Sequence, residues 1–114
     1  MTAAVYAVDG SVLGDAGDLL AAFDVEGHIR GVSSIVDGEG SSVGLSLHAM
    51  LIRSNTAAGD EISFQYYDAS ADVILSVVET YTFVINENSG DLIEPHALHI
   101  GIGLSIDIDP LNLL

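Results

Sequence analysis

The 114-residue sequence predicts an all-β protein, a single antiparallel β-sandwich of about eight strands with an Ig-like or jelly-roll-like arrangement. Three observations predict this class. Apolar and polar residues alternate with a period of two in several segments. Short turns rich in Gly and Asp separate those segments, which favours a sandwich or closed barrel. Hydrophobic residues make up 49% of the chain, too many for a disordered acidic tail.

The first four predicted strands precede residue 54. The first ends at the Asp9-Gly10 turn, and the third ends before the glycine-rich turn at 37–40. The second contains helix formers, but it is short and runs into the turn at 24–27, so we predict a strand there. In the fourth, every second residue from Leu45 is apolar. These strands cover residues 3–8, 18–24, 28–36 and 43–53.

The other four predicted strands show the clearest alternation. Ile62, Phe64 and Tyr66 alternate with polar residues, and Tyr81 begins a similar run. The last strand pairs an aliphatic face with one that is nearly bare because of its glycines, which suggests close approach by another sheet or chain. These strands cover residues 61–67, 72–79, 81–86 and 97–107. Since no linker or repeat interrupts the pattern, residues 1–114 are predicted to form one domain.

The charge balance excludes some partners. The chain has 17 acidic residues, two arginines and no lysine, giving a net charge of −15. Nucleic acid would be repelled, and anionic membrane surfaces are disfavoured for the same reason. Cysteine is absent, so disulfides, thiolate metal sites and cysteine nucleophiles are excluded. The amino terminus lacks the basic residues of a secretion signal and no apolar run reaches about 20 residues, which predicts release into the cytoplasm.

The sequence predicts no enzyme and no metal site. It contains no nucleophile elbow, phosphate-binding glycine loop or zinc-protease motif. Of the four histidines, His96 and His99 would point to opposite faces of a strand and could not share an ion. We expect no cofactor; the alternative is one loop-bound calcium ion at the acidic pairs. Asp also favours turns through its own hydrogen bonds, which explains these positions without a metal. The pairs are Asp15 with Asp18, Asp68 with Asp72, and Glu87 with Asp91.

The two arginines are the candidate functional charges. Arg30 lies in a strand pattern with apolar neighbours, where its guanidinium is predicted to form a structural ion pair with Asp24 or Asp68. Arg53 ends a predicted strand and is expected to cap a turn or contact a neighbouring chain. The final residues, 108–114, are apolar for a free terminus. We therefore expect Leu111, Leu113 and Leu114 to dock on the domain or on a partner.

Several short motifs together suggest a family. They are Gly17-Asp18-Leu19-Leu20-Ala21-Ala22-Phe23, Gly27-x-x-Arg30-Gly31-Val32, Gly59-Asp60-x-Ile62-Ser63-Phe64-x-Tyr66-Tyr67-Asp68-Ala69, Glu79-x-x-x-Phe83 and Gly90-Asp91-x-x-x-Pro95. The pattern resembles a small β-sandwich module that recurs in secreted and cell-surface bacterial proteins and in structural proteins of marine phages. It spans about residues 4–100. The resemblance implies a fold and no catalytic residues, and a module standing alone resembles the phage setting more closely.

Three functions follow as expectations. The first is a non-catalytic virion component, a capsid decoration or fibre protein that faces outward after assembly in the host cytoplasm and binds protein partners or its own copies. The second is an extracellular module that binds a glycan or another surface polymer, with Tyr67 as the exposed aromatic, because Tyr66 and Tyr67 must point to opposite faces. The third is adaptation to high salt, in which acidity serves solvation.

Overall fold

The computed structural model describes residues 1–55, 58–85 and 87–101 and contains two packed β-sheets. This confirms the predicted all-β sandwich. Within the described residues the chain forms nine strands and one short 3-10 turn, Gly40–Ser42. The strands are β1 Thr2–Tyr6, β2 Val12–Leu13, β3 Leu19–Phe23, β4 Ile29–Val32, β5 Ser34–Asp37, β6 Ser46–Ala49, β7 Ala58–Asp68, β8 Val73–Val84 and β9 His96–His99.

The five-stranded sheet is organised around β1. This strand pairs antiparallel with β6 in its first half and with β2 in its second half. It also pairs with β9 along most of its length, and this pair is parallel. At Ala3 the strand therefore has His48 on one side and His96 on the other. β5 completes the sheet by pairing antiparallel with β6. The β1–β9 pair is the exception to the predicted antiparallel pairing among the described strands.

The four-stranded sheet has the order β4-β3-β7-β8, and all its pairs are antiparallel. The stretch of helix formers in the second predicted strand contains strand β3, Leu19–Phe23. It pairs with β4 on one side and β7 on the other, and its alternation places Leu20 and Ala22 on the buried face. β7 and β8 are much longer than their partners. The segments predicted as two strands, 72–79 and 81–86, overlap one continuous strand, β8 (Val73–Val84), because Thr80 continues the alternation between them.

The predicted third strand, 28–36, is two strands in different sheets. β4 belongs to the four-stranded sheet, and β5 belongs to the five-stranded one. The chain passes between them at Ser33, which is buried and bonds to Leu20 twice. The Leu20 N–H donates to Ser33 Oγ (2.9 Å), and the Ser33 N–H donates to the Leu20 carbonyl (2.9 Å). These two bonds attach Ser33 to β3 at the point where the chain leaves one sheet for the other. The segment predicted as one strand therefore contributes a strand to each sheet.

The core lies between the two sheets and consists of inward-facing residues from both. The largest fully buried side chains in it include Leu20, Ile62, Tyr66 and Leu98. Alternation in β7 supplies Ile62, Phe64 and Tyr66, as the sequence predicts. Among the described residues, these side chains belong to one core cluster, and a single domain over residues 1–114 stays a prediction. Nothing in the structure bears on the predicted tail at 108–114, which lies outside the described residues.

A buried polar cluster lies at one end of this core. The Tyr66 hydroxyl donates to Asp18 Oδ2 (2.5 Å), and the same carboxylate accepts backbone N–H groups from Asp15 (3.1 Å) and Ala69 (2.8 Å). Asp18 is only 3% exposed, so three donors compensate the desolvation of its carboxylate. The ring of His48 packs edge-on against Tyr66. The cluster thus links the turn before β3 to the turn after β7.

Backbone hydrogen bonds join the sheets along both sides of the sandwich. On one side, Ile100 N–H donates to the Tyr6 carbonyl and Gly101 N–H donates to the Ser76 carbonyl of β8 (both 2.9 Å). On the other side, Arg53 N–H donates to the Arg30 carbonyl of β4 (2.9 Å). These bonds satisfy polar groups that would otherwise be exposed at strand edges, which lowers the tendency to aggregate.

Candidate interaction surface

The outward side of the four-stranded sheet is nearly free of charge. We call this surface the outer face and define it by the outward-pointing residues of its four strands. Among these positions in the described chain, only Glu61 is charged, and its carboxylate accepts a hydrogen bond from Thr82. Most of the other described carboxylates lie in turns between strands. The outer face comprises Leu19, Ala21, Phe23, Ile29, Val32, Glu61, Ser63, Gln65, Tyr67, Ile74, Ser76, Val78, Thr80, Thr82 and Val84.

Tyr67 occupies the middle of one row of this face. The strand register places it between Leu19 of β3 and Ile74 of β8. Its hydroxyl donates to Asp72 Oδ1 (2.7 Å), and that bond raises the pKa of Tyr67. Tyr66 points the opposite way and is fully buried, as the period of two requires. The ring of Tyr67 is therefore fixed at its tip and flanked by aliphatic side chains.

A groove with a volume of about 380 Å³ borders the outer face at β4 and contains both arginines of the chain. It forms where the segment after β6 runs beside β4. Gly31 permits this approach, since a Cβ atom there would lie 2.8 Å from the Leu51 carbonyl oxygen. We call it the arginine groove; its lining residues are Ile29, Arg30, Gly31, Val32, Leu51 and Arg53.

Arg30 forms an ion pair with Asp24 inside one hairpin. Its Nε and terminal nitrogen lie 3.0 and 2.9 Å from Asp24 Oδ2. The other carboxylate oxygen, Oδ1, accepts the backbone N–H groups of Glu26 and His28 (both 2.9 Å). Desolvation opposes ionisation of Asp24, but the hydrogen bonds from His28, Arg30 and Glu26 outweigh it and lower its pKa to about 2. Asp24 therefore stays ionised and holds the β3–β4 turn.

Asp68, the other predicted partner of Arg30, lies elsewhere. It ends β7 and accepts a hydrogen bond from the Ser70 hydroxyl (2.8 Å). The register pairs the neighbouring Tyr67 with Leu19 at the start of β3, whereas Asp24 follows the end of that strand. The two carboxylates are thus at opposite ends of β3. Arg30 braces a single turn, and the predicted bridge from Arg30 to Asp68 is not formed.

Arg53 supplies the other charge of the groove. Its backbone N–H is held by the Arg30 carbonyl, whereas its side chain is exposed. Within the described part of the chain, no carboxylate lies within ion-pair distance of its guanidinium. It is surrounded instead by exposed aliphatic residues: Ile29 is 64% exposed and Leu51 is 68% exposed. The structure brings together the two arginines that the sequence singled out separately. To the apolar neighbours expected beside Arg30 it adds Leu51, which the sequence did not single out.

The carboxylate clusters are engaged with the chain itself. Asp24, Glu26 and His28 place ligand atoms within 4.8 Å of one another, a grouping that the sequence did not predict. Both oxygens of Asp24 already accept protein hydrogen bonds, and Arg30 adds a positive charge beside them. A cation there would have to displace the guanidinium, so these residues fit a braced turn better than a metal site. Of the predicted calcium pairs, Asp18, Asp68, Asp72, Glu87 and Asp91 all accept hydrogen bonds from the chain.

The four histidines have separate surroundings. His48 is fully buried, and its Nε2 lies 2.9 Å from the Leu13 carbonyl oxygen; burial lowers the pKa of His48. His96 contacts the Ser89 hydroxyl through Nδ1 (2.9 Å), and His99 pairs with Glu79 across to β8. His28 lies in the β3–β4 turn beside Asp24. Each of the four has its own partner, and these partners could not be identified from the sequence.

A second opening lies between the two sheets near the amino terminus. This cleft of about 550 Å³ is bounded by β1 and the segment after β6 on one side and by the end of β8 on the other. Met50 and Phe83 form part of its apolar wall, and Glu87 and Ser89 lie among its polar residues. The Glu87 carboxylate accepts the Tyr81 hydroxyl. No sequence pattern indicated this cleft, because it depends on how the sheets diverge.

Comparisons with protein-family models, curated proteins and solved structures found no match to this chain. The resemblance to a bacterial and phage β-sandwich module therefore stays a prediction. In the described part of the chain, no helix is long and apolar enough to cross a membrane. Leu111, Leu113 and Leu114, the predicted docking residues of the tail, lie outside the described residues.

Proposed function

We propose that this chain is a non-catalytic structural protein of a larger assembly, a virion component such as a capsid decoration or fibre protein that faces outward. One observation carries the proposal. In a protein of net charge −15, the outer face holds a single charged residue among its described positions, and several of its aliphatic residues are exposed. Buried centres of protein interfaces are likewise depleted in charged groups.

The distribution of charge supports an oriented role. Carboxylates concentrated in the turns keep copies soluble and repel nucleic acid, so the protein would sit on the side of a shell away from packaged DNA. The outer face, with Glu61 as the one charged residue among its described positions, can then bind a protein partner at little cost in ion desolvation. The virion setting rests on the family resemblance and on this acidity, with assembly in the host cytoplasm as the corresponding location.

The experiment asks whether the chain belongs to a particle and whether the outer face attaches it. Virus particles are purified from the organism that produces the chain. Antibodies against the chain are then used to probe density-gradient fractions and to label the particles for electron microscopy. We expect the chain in the particle fraction, with label on the outside. Recombinant protein is then added to particles lacking the chain. Ile74→Glu, at a site 68% exposed, should abolish attachment without loss of folding.

Val43→Glu is the matched control, because Val43 is 75% exposed and lies in the turn before β6, away from the outer face. It adds the same charge and should attach normally. The proposal is wrong if the native chain is found only as a free monomer. Equal attachment of the two variants would instead show that the outer face is not the contact surface.

The position of Tyr67 favours a second candidate, an extracellular module that binds a glycan or another surface polymer. Its ring, fixed by Asp72 and flanked by Leu19 and Ile74, offers a flat surface of the kind that sugar rings stack on. A glycan array with the wild type, Tyr67→Ala and Tyr67→Phe distinguishes the candidates. Binding that is lost in Tyr67→Ala and retained in Tyr67→Phe would support this candidate, and absence of binding would contradict it.

A further inference from the structure

The arginine groove combines one available positive charge with an apolar floor. The guanidinium of Arg30 is neutralised by Asp24, whereas Arg53 lacks an ion-pair partner among the described residues. Ile29 and Leu51 are both mostly exposed beside it. In a chain of net charge −15, such a groove is the place where a carboxylate between aliphatic side chains is attracted rather than repelled.

The groove offers side-chain contacts more than strand pairing. On the outer edge of β4, the Arg30 carbonyl already accepts the Arg53 N–H. An incoming segment therefore cannot extend the sheet at this residue. Its affinity must come from burying aliphatic groups against Ile29 and Leu51 and from an ion pair with Arg53.

The end of the chain carries this chemistry. Residues 104–109 read Leu-Ser-Ile-Asp-Ile-Asp, in which aliphatic residues alternate with polar ones and Asp107 lies between two isoleucines. We propose that the arginine groove of one copy binds the carboxy-terminal segment of a second copy, with Asp107 paired to Arg53. The inference rests on the proposed function and names the partner as a further copy of this chain.

The direction of the last described residues favours a second copy over the same molecule. Ile100 is bridged antiparallel to Val77, and Gly101 bonds to Ser76, so the chain is heading along β8 toward its first residue, Val73. That end of the sheet carries Tyr67 and Leu19. The arginine groove lies beside the other end of β3, near Phe23, and at the opposite edge of the sheet. To enter the groove of its own molecule, the chain after Gly101 would have to reverse this direction, whereas binding to the groove of a second copy does not require a reversal.

The test uses the full chain and a fluorescein-labelled peptide of residues 102–114, with binding followed by fluorescence anisotropy. We expect the peptide to bind the wild-type chain and Arg53→Glu to weaken that binding by about tenfold, since a favourable pair becomes a repulsive one. A peptide in which Asp107 and Asp109 are both replaced by Asn should bind the wild type equally weakly. A peptide with Asp107→Arg should recover affinity for the Arg53→Glu chain. The chain carrying Val43→Glu is the control for added negative charge.

Sedimentation velocity of the full chains provides the second readout. Wild-type protein should self-associate as its concentration rises, Arg53→Glu should do so about tenfold more weakly, and mixing Arg53→Glu with Asp107→Arg should restore association. The inference is wrong if the peptide does not bind, or if Arg53→Glu changes neither measurement. Particle association of the wild type, with no effect of Arg53→Glu on peptide binding or on sedimentation, would overturn the inference and leave the proposed function standing. Peptide binding that Arg53→Glu weakens, without any association of the chain with particles, would overturn the proposed function and leave the inference standing.

Discussion

Two adjacent tyrosines show how one residue step changes the physical role of a side chain. Tyr66 is fully buried, and its hydroxyl donates to the buried carboxylate of Asp18. Burial and the neighbouring Asp18 raise the pKa of Tyr66, so it remains a hydrogen-bond donor across the pH range in which the protein is handled. Tyr67 makes an equivalent bond to Asp72 at the surface, where water can replace it. The two hydroxyls should therefore differ in their contribution to stability.

Tyr66→Phe is expected to lower the free energy of unfolding by about 1–3 kcal/mol, because Asp18 would lose one of three donors while staying desolvated. Tyr67→Phe is the matched control and should leave the free energy of unfolding almost unchanged, because water replaces the lost bond at the surface. Urea unfolding followed by circular dichroism measures both. Equal effects of the two substitutions would contradict the assignment of Asp18 and Tyr66 to a buried, stabilising cluster.

The crossing between β4 and β5 shows how one residue lets a strand segment serve both sheets. Ser33 lies between these strands, and its side-chain oxygen takes the place of a backbone carbonyl as the acceptor for the Leu20 N–H. Its hydroxyl accepts the Leu20 N–H at a position where the backbone leaves one sheet and enters the other. Ile29 and Arg30, in the strand before the crossing, line the arginine groove at the edge of the four-stranded sheet.

Ser33→Ala should reduce the free energy of unfolding by about 1–3 kcal/mol, because the buried Leu20 N–H would lose its acceptor. Ser34→Ala, one residue later and exposed, is the control and should change it by less than about 0.5 kcal/mol. Thermal unfolding of both variants measures the difference. If Ser33→Ala were as stable as the control, the Ser33 hydroxyl would not be a stabilising acceptor for the Leu20 N–H, and water or another backbone group would have to accept that bond.

The features predicted correctly depend on local sequence, and those missed depend on distant contacts. The alternation in β7 was sufficient to assign Ile62, Phe64 and Tyr66 to the core. Asp24, six residues from Arg30, was one of two predicted partners, and a single hairpin brings them together. The strand break at Ser33 and the approach of Leu51 to Gly31 could not be predicted, because neither has a periodic signal. Both arise from contacts between residues well separated in sequence.

The net charge of −15 acts on the molecule as a whole because the molecule is small. Its extents are 43 × 36 × 21 Å, whereas the Debye length falls from about 30 Å at 0.01 M salt to about 3 Å at 1 M. At low salt, each carboxylate therefore repels carboxylates on the far side of the sandwich. The two arginines offset little of this, and Arg30 is already used within one turn. Self-repulsion should be largest at low ionic strength.

We therefore expect the thermal unfolding midpoint to rise as NaCl increases from about 0.01 M, with most of the gain complete by about 0.2 M, where the Debye length is already below the thickness of the sandwich. Differential scanning fluorimetry measures it. Sodium perchlorate is the control: screening depends on ionic strength alone, so both salts should act alike over this range, whereas specific anion effects would separate them. A flat response would mean that the turn carboxylates are compensated locally, as Asp24 is by Arg30. A rise that continues toward 1 M would exceed what screening provides and would favour adaptation to a salt-rich environment.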